Sequence, residues 1–312
     1  MRHVVVMVTT SYPRFPGDGI GSFMEPIAKG VASRGHEVHL VAPWHPAIQR
    51  EPVEDGVRFH FFHYAPTSSL SVFGYAAGLR EDTRLRPAAW AIAPWALATG
   101  WFKAMRVATK TRATVMHGHW VVPGGLIARA AAGRRPLIVS LHGSDVFVAE
   151  RSMPARRAAQ HVFRRAAWVT ACSDDLAARA RRLGADPART EVIPYGVDTE
   201  RFGPHPTARE AVRRELGIGR APLVFSAGRL VRKKGFEYLI EAIGLLSARF
   251  PDVRLVIAGD GDLRDEIEAI VEYVERPDVR ASSAGDIDVA PVVSGNPAAC
   301  SAPDLKEGRM IL

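Results

Sequence analysis

"HVVVMVTTSYPRFPGDGIGSF", residues 3–23, sets the reading of the whole chain. Its first six residues form an apolar run with the β-branched bias of a buried strand. From Ser22 the period changes. Phe23, Ile27 and Val31 recur every fourth residue and predict a helix over 22–34. Ser22 and Glu25 form an S-x-x-E capping-box pattern, and Gly35 stands where a helix stop belongs. Between strand and helix lie Pro13, Pro16, Gly17, Gly19 and Gly21. A plain connection needs only a few residues. The extra length and the bare backbone of Gly19 and Gly21 describe a loop that approaches a ligand, with free N–H groups of the following helix suited to phosphate or carboxylate. The loop is neither a Walker loop, since no G-K-[ST] is present, nor a G-x-G-x-x-G turn.

The same rhythm continues outward. "EVHLVAP", "ATVMHGH", "PLIVSLH", "AWVTACS" and "TEVIPY" read as strands, with helical patterns around 123–132, 154–165 and 174–183. Strands alternating with helices predict an α/β fold with a parallel sheet covered on both faces. "VDTERFGPHPTA" carries Gly203, Pro204 and Pro206 and reads as a linker. After it come a helix over 208–216, the strand "PLVFSAG", the helix "GFEYLIEAIGLLSARF", the strand "VRLVIAG" and a helix over 262–275. The expected domains are a complete Rossmann-like unit at 1–203, a partial second one at 204–275, and an irregular tail at 276–312 rich in Ala, Ser, Pro and Gly.

The composition is that of an ordinary globular protein, with 47% apolar and 24% charged residues. The net charge of +8 suits an acidic substrate, an anionic membrane face or nucleic acid. No Lys/Arg block is interleaved with aromatics as in single-strand binders, so nucleic acid is not expected. Cys172 and Cys300 are far apart and in no metal-like spacing, which fits a reducing cytosol. No signal-peptide pattern precedes the first strand. "AAWAIAPWALATGWF", residues 88–102, is too short to span a bilayer and contains Pro94. It reads as a packing helix; its Trp90, Trp95 and Trp101 also permit an interface or a lipid acceptor. The expected location is cytoplasmic, with peripheral contact at the inner face of the membrane as a variant.

The conspicuous motifs fall at the carboxyl ends of predicted strands, where open parallel sheets bind ligands. In "AGRLVRKKG", Arg229 and Lys234 suit a diphosphate, while Arg232 and Lys233 read as solvated surface. "AGDGDLR" follows the next strand. His117, His119 and His142 with Asp145 leave three readings open: a metal site, histidines hydrogen-bonded at strand ends, or polar contacts to sugar hydroxyls.

Together these pieces resemble the GT-B glycosyltransferases of family 4, the large retaining group. The resemblance is carried, in order, by "GDGIGSF", "SRGHEVHLVAP", "HGHWVVPGG", "SLHGSDVF", "ACSDDLA", "VIPYGVDTERF", "SAGRLVRKKGFEYLIEAI" and "VIAGDGDLRDEIE". It implies a nucleotide-diphosphate sugar as donor substrate, no cofactor and no metal, and an acceptor that is a sugar, a lipid or a small molecule. It also implies site residues: His142 at the transferred sugar as catalytic group; Gly19, Gly21, Arg229, Lys234, Gly259 and Gly261 around the donor; and His119 and Asp145 at the sugar or acceptor. The family's C-terminal domain continues for about another hundred residues and carries an E-x7-E pair, and no glutamates after Asp260 have that spacing here. A truncated second domain, with weak transfer by this chain on its own, is therefore expected. Two rivals remain: a non-catalytic remnant or binding module of the same fold, and a metal-dependent hydrolase built on the three histidines.

Overall fold

The structure, a computed structural model, describes residues 1–65, 73–75, 79–80, 84–85, 87–274 and 288–289. Its contacts divide the chain into two units, Met1–Gly196 and Val197–Leu312. The division falls just ahead of the Gly203–Pro206 stretch that composition marks as a linker.

The first unit contains β1 (Val4–Val8), α1 (Met24–Ser33), β2 (Glu37–Pro43), β3 (Val53–Glu54), β4 (Val57–Phe62), the short pair β5 (Leu79–Arg80) and β6 (Arg84–Leu85), and α2 (Pro87–Lys110). There follow β7 (Val115–His119), α3 (Leu126–Ala132), β8 (Leu137–Leu141), α4 (Ser144–Arg151), α5 (Met153–Phe163), β9 (Trp168–Ala171), α6 (Asp174–Arg182) and β10 (Thr190–Val192). Eight strands form one sheet in the order β10-β9-β8-β7-β1-β2-β4-β3, parallel except for the β3–β4 edge pair. The alternation of side chains across the pleat explains its two covered faces. Val6 and Val8 of β1 enter one apolar cluster with Met116, Val139 and Ile127. Val5 and Met7 enter the other, with Leu40, Met24 and Ala28.

The chain runs outward from β1 through β2 to β4, then returns and runs the other way from β7 to β10. The strand order therefore reverses between β1 and β7, and the crevice beyond their carboxyl ends is where such a sheet receives a ligand. Val8 lies level with both Val41 and Gly118, so the three strands end on a common rim.

The expected capping box does not form. Phe23, whose side chain has no cap acceptor, occupies the cap of α1, and Glu25 pairs with Lys29 at 3.0 Å and Arg50 at 3.2 Å. The stop at Gly35 does form: φ is +84° and its N–H donates to Ala32 at 2.9 Å. Periodicity missed α4, β3 and β4, and α2 runs straight through Pro94. The side chain of Trp90 lies outside the described residues.

The second unit holds α7 (Pro206–Glu215), β11 (Leu223–Ala227), α8 (Phe236–Ser247), β12 (Arg254–Ala258), α9 (Arg264–Val274) and β13 (Asp288–Val289). Its parallel sheet has the order β11-β12-β13 around a core of Leu230, Phe236, Ile240, Leu255, Ile257 and Ile267. The two-residue β13 falls within the stretch read as an irregular tail. Cys300 and the rest of 276–312 lie outside the described residues.

Candidate functional site

The loop after β1 is organised by an ion pair that the sequence reading passed over. Asp18 is buried, and its carboxylate accepts from Arg14 Nε at 2.6 Å, Arg14 Nη2 at 3.1 Å, and the backbone N–H groups of Arg14 and Ile20. Burial alone would raise its pKa, but the Arg14 hydrogen bonds and the backbone donors hold it below the usual carboxylate range. Within this loop the two flagged glycines differ. Gly21 has φ +69°, and a Cβ there would press on Ser11 at 3.0 Å. Gly21 is thus needed by the chain itself. Gly19 is exposed, and a Cβ on it would meet nothing within 4 Å. Its bareness serves no internal packing.

Across the rim, the loops after β7 and β8 assemble a ring of aromatic and imidazole groups. The His142 ring packs at a tilt against Phe23, the last residue of the glycine loop, at 4.7 Å between centroids, and against Trp120 at 4.5 Å. Its Nε2 meets His119 Nδ1 at 3.1 Å, and its Nδ1 is hydrogen-bonded to the hydroxyl of Tyr195. Burial pushes the His142 pKa down to about 3 and that of His117 to about 4; His119 is lowered by burial and then by its two imidazole neighbours. At neutral pH all three rings are uncharged. Uncharged imidazoles suit sugar hydroxyls better than phosphate, and both nitrogens of His142 are engaged here, by His119 and Tyr195. Trp120 holds its place at φ +59°, a left-handed conformation costly for a bulky residue and concentrated at functional sites.

Two expected contacts take different parts. Asp145 is buried, and its oxygens accept from Val121 N at 2.7 Å, Gly143 N at 3.0 Å and His142 N at 3.3 Å. Burial raises its pKa, and the backbone donors pull the other way. The carboxylate clamps the β7 loop to the β8 loop and is not free for a sugar. His119 is fully buried behind His142, with Nε2 unpartnered, so it backs the ring instead of meeting an acceptor. His117 is hydrogen-bonded to Ser140 at 2.7 Å. Among the described residues no group of three or more His, Cys, Asp or Glu is placed to hold a metal. Tyr195, Trp120 and Phe23 were not singled out in advance. Trp120, directly after β7, carried a signal in its position; Phe23 and Tyr195 did not.

In the second unit, the turns after β11 and β12 interlock through backbone. Gly228 N donates to Ala258 at 2.9 Å, Leu230 N to Asp260 at 2.9 Å, and Leu263 N to Leu230 at 3.0 Å. A Cβ at Gly259 would stand 1.9 Å from the Gly228 carbonyl, and one at Gly261 would stand 2.5 Å from that of Leu230. These glycines join the two turns; any contact with a donor is additional. Arg229 and Lys234 are exposed on this rim, and the Lys234 chain passes beside Gly228. Arg232 pairs with Glu266 at 3.0 Å and is a surface ion pair, as its place in the run suggested.

The profile described as Glycosyltransferase Family 4 matches residues 17–201, more than half of the chain. The chain belongs to glycosyltransferase family 4. The profile described as Glycosyl transferases group 1 matches residues 208–278 of the same family 4 chain. Among curated relatives, a GDP-mannose-dependent alpha-(1-6)-phosphatidylinositol monomannoside mannosyltransferase of Mycolicibacterium smegmatis is 36% identical over 46% of this chain and 37% of its own length. The protein of that description from Mycobacterium tuberculosis is 29% identical over 82% of this chain and 61% of its length. The chain thus spans less than two thirds of the length of these relatives. The GT-B fold of family 4 is matched by Anabaena HepE in complex with UDP, with TM-score 0.64, 19% identity, and coverage of 92% of this chain and 69% of that one.

Proposed function

We propose that the chain binds a nucleotide-diphosphate sugar and serves transfer of the sugar to an acceptor hydroxyl with retention of configuration. The observation that carries this reading is the meeting of Phe23, at the end of the glycine loop, with the neutral His142 ring at the sheet's switch point. On exchanging its Tyr195 partner, a neutral imidazole there hydrogen-bonds a sugar without attracting the phosphates. On the second unit, exposed Arg229 and Lys234 beside interlocked backbone turns suit the diphosphate, and fixed cations there would stabilise charge on the departing nucleotide. In the retaining reaction the bond from the sugar's anomeric carbon to the diphosphate breaks, and the acceptor oxygen bonds that carbon from the same face. The acceptor proton passes to the leaving phosphate oxygen. The mannosyltransferase relatives support a nucleotide-sugar donor, and HepE was crystallised with UDP.

Isothermal titration of the full chain with UDP and with GDP tests the donor half of this reading. Micromolar binding of either is expected, and silence with both favours a remnant that keeps the fold without the donor. The hydrolase reading predicts stoichiometric zinc in the purified protein, and metal-free protein excludes it.

A further inference from the structure

α2 buries its small side chains and exposes its large ones. Ala96, Ala104, Val107 and Ala108 face the core. Gly100 is buried so closely that a Cβ would stand 2.9 Å from Ile127 and 3.0 Å from Phe62. The opposite face carries Trp95, 61% exposed, and Phe102, 55% exposed. These lie seven residues apart, two turns along one stripe, and Arg106 continues the stripe one turn further. Lys103 and Lys110 flank it, and residues 87–110 contain no Asp or Glu. Beside the stripe an apolar hollow of about 410 Å³ is lined by Phe61, Phe62, His63, Trp95, Phe102 and Lys103.

From this face we infer a docking surface for an anionic phospholipid bilayer. The charge pattern selects that occupant. A helix lying in the headgroup plane places aromatic rings at the acyl boundary and cations among the phosphates. Trp95 and Phe102 supply the rings; Lys103, Arg106 and Lys110 supply the cations. A second copy of this chain would meet the same cations with no acid from α2 to oppose them. No helix among the described residues is long and apolar enough to cross a membrane, so α2 lies on the bilayer. The hollow lies at the carboxyl end of β4, two strands from β1 in the sheet, and the inference does not depend on sugar transfer.

Flotation of the full chain with phosphatidylcholine vesicles, with and without phosphatidylglycerol, tests this with no substrate present. The chain is expected to float with the anionic vesicles, to stay behind with neutral ones, and to be released by high salt. The triple variant K103A/R106A/K110A should partition roughly a hundredfold more weakly, each cation near an anionic surface contributing about fivefold. Trp95→Ala with Phe102→Ala should also abolish flotation while melting at the wild-type temperature, since both side chains are exposed. If that pair lowers the melting temperature, Arg106→Glu with Lys110→Glu decides, both sites being outward-facing. Equal flotation with neutral and anionic vesicles, flotation unchanged in these variants, or dimerisation through Trp95 in sedimentation velocity without vesicle binding would each overturn the inference.

Discussion

At the rim of the N-terminal sheet, His142 lies among Phe23, Trp120 and Tyr195 with its charge suppressed by burial. At the rim of the second sheet, Arg229 and Lys234 are exposed beside turns interlocked through backbone hydrogen bonds. One rim is desolvated and neutral, the other hydrated and cationic. Under the proposed function, the first chemistry suits sugar hydroxyls and the second suits a diphosphate. Sugar hydroxyls are recognised by hydrogen bonds in a dry pocket, where an unmet donor or acceptor costs most. A diphosphate is recognised by charge, which acts without burial and avoids the cost of desolvating an arginine or lysine. The glycines divide differently, since Gly21 of the first rim is also needed by the chain itself. Those of the second rim are needed for the chain to close on itself, whereas Gly19 of the first is not.

The sharpest break in this comparison comes from Gly259→Ala. Its Cβ would collide with the Gly228 carbonyl, so the variant should lose about 3 kcal/mol or more of stability in urea unfolding. Wild-type stability would show that the turns are not interlocked as described. Asp145→Ala should cost somewhat less, about 2–3 kcal/mol, because it leaves buried N–H groups of Val121 and Gly143 without acceptors. A variant as stable as wild type would mean that the carboxylate does not clamp the two loops.

The neutral imidazoles should also leave a mark in the pH dependence of stability. His142 and His117 have folded pKa values of about 3 and 4, below the ordinary value near 6.5. The unfolded chain therefore binds more protons between those limits. Their stabilising effect is complete above about pH 6.5 and is lost as pH falls toward 3 and 4. The slope approaches about 1.4 kcal/mol per pH unit for each histidine. His117→Gln should flatten the urea midpoint between pH 6.5 and 4; an unchanged profile would place that ring in water.

Most of this architecture was legible beforehand because period and punctuation agree in it. β1, β2 and β7 to β10 alternate or run apolar between turn residues, and α5, α6 and α8 carry helical spacing. What escaped notice has a physical reason in each case. β4 reads "VRFHFF", whose aromatic tail blurs its alternation. α4 is only eight residues long and opens on a motif already assigned to a loop. Asp18 was passed over although Arg14 lies only four residues away, whereas Asp145 meets Val121 and Glu25 meets Arg50, partners brought close only by folding. His142 was legible only as a histidine directly after a buried strand, and its expected role came from the family resemblance. Tyr195 comes to it from 53 residues away, beyond the reach of any spacing rule.

Smaller effects separate the two rims by function. His142→Ala should leave folding nearly intact and, where transfer is measurable, lower turnover without changing the affinity for free UDP or GDP. A collapsed fold would make the ring structural. Gly19→Val should have the least effect on stability, within about 0.5 kcal/mol, since its side chain enters open space. It should weaken donor-sugar binding by blocking the approach of backbone, and unaltered binding would remove that loop from the site.

The most direct test is calorimetric titration of nucleotide diphosphate into the wild-type chain and into Arg229→Ala and Lys234→Ala, with His142→Ala as the control from the other rim. The account predicts micromolar binding to wild type, roughly tenfold weaker binding in each cation variant, and wild-type affinity in the histidine variant. Binding that ignores both cations, or that vanishes on loss of His142 alone, would contradict the assignment of the diphosphate to the second rim.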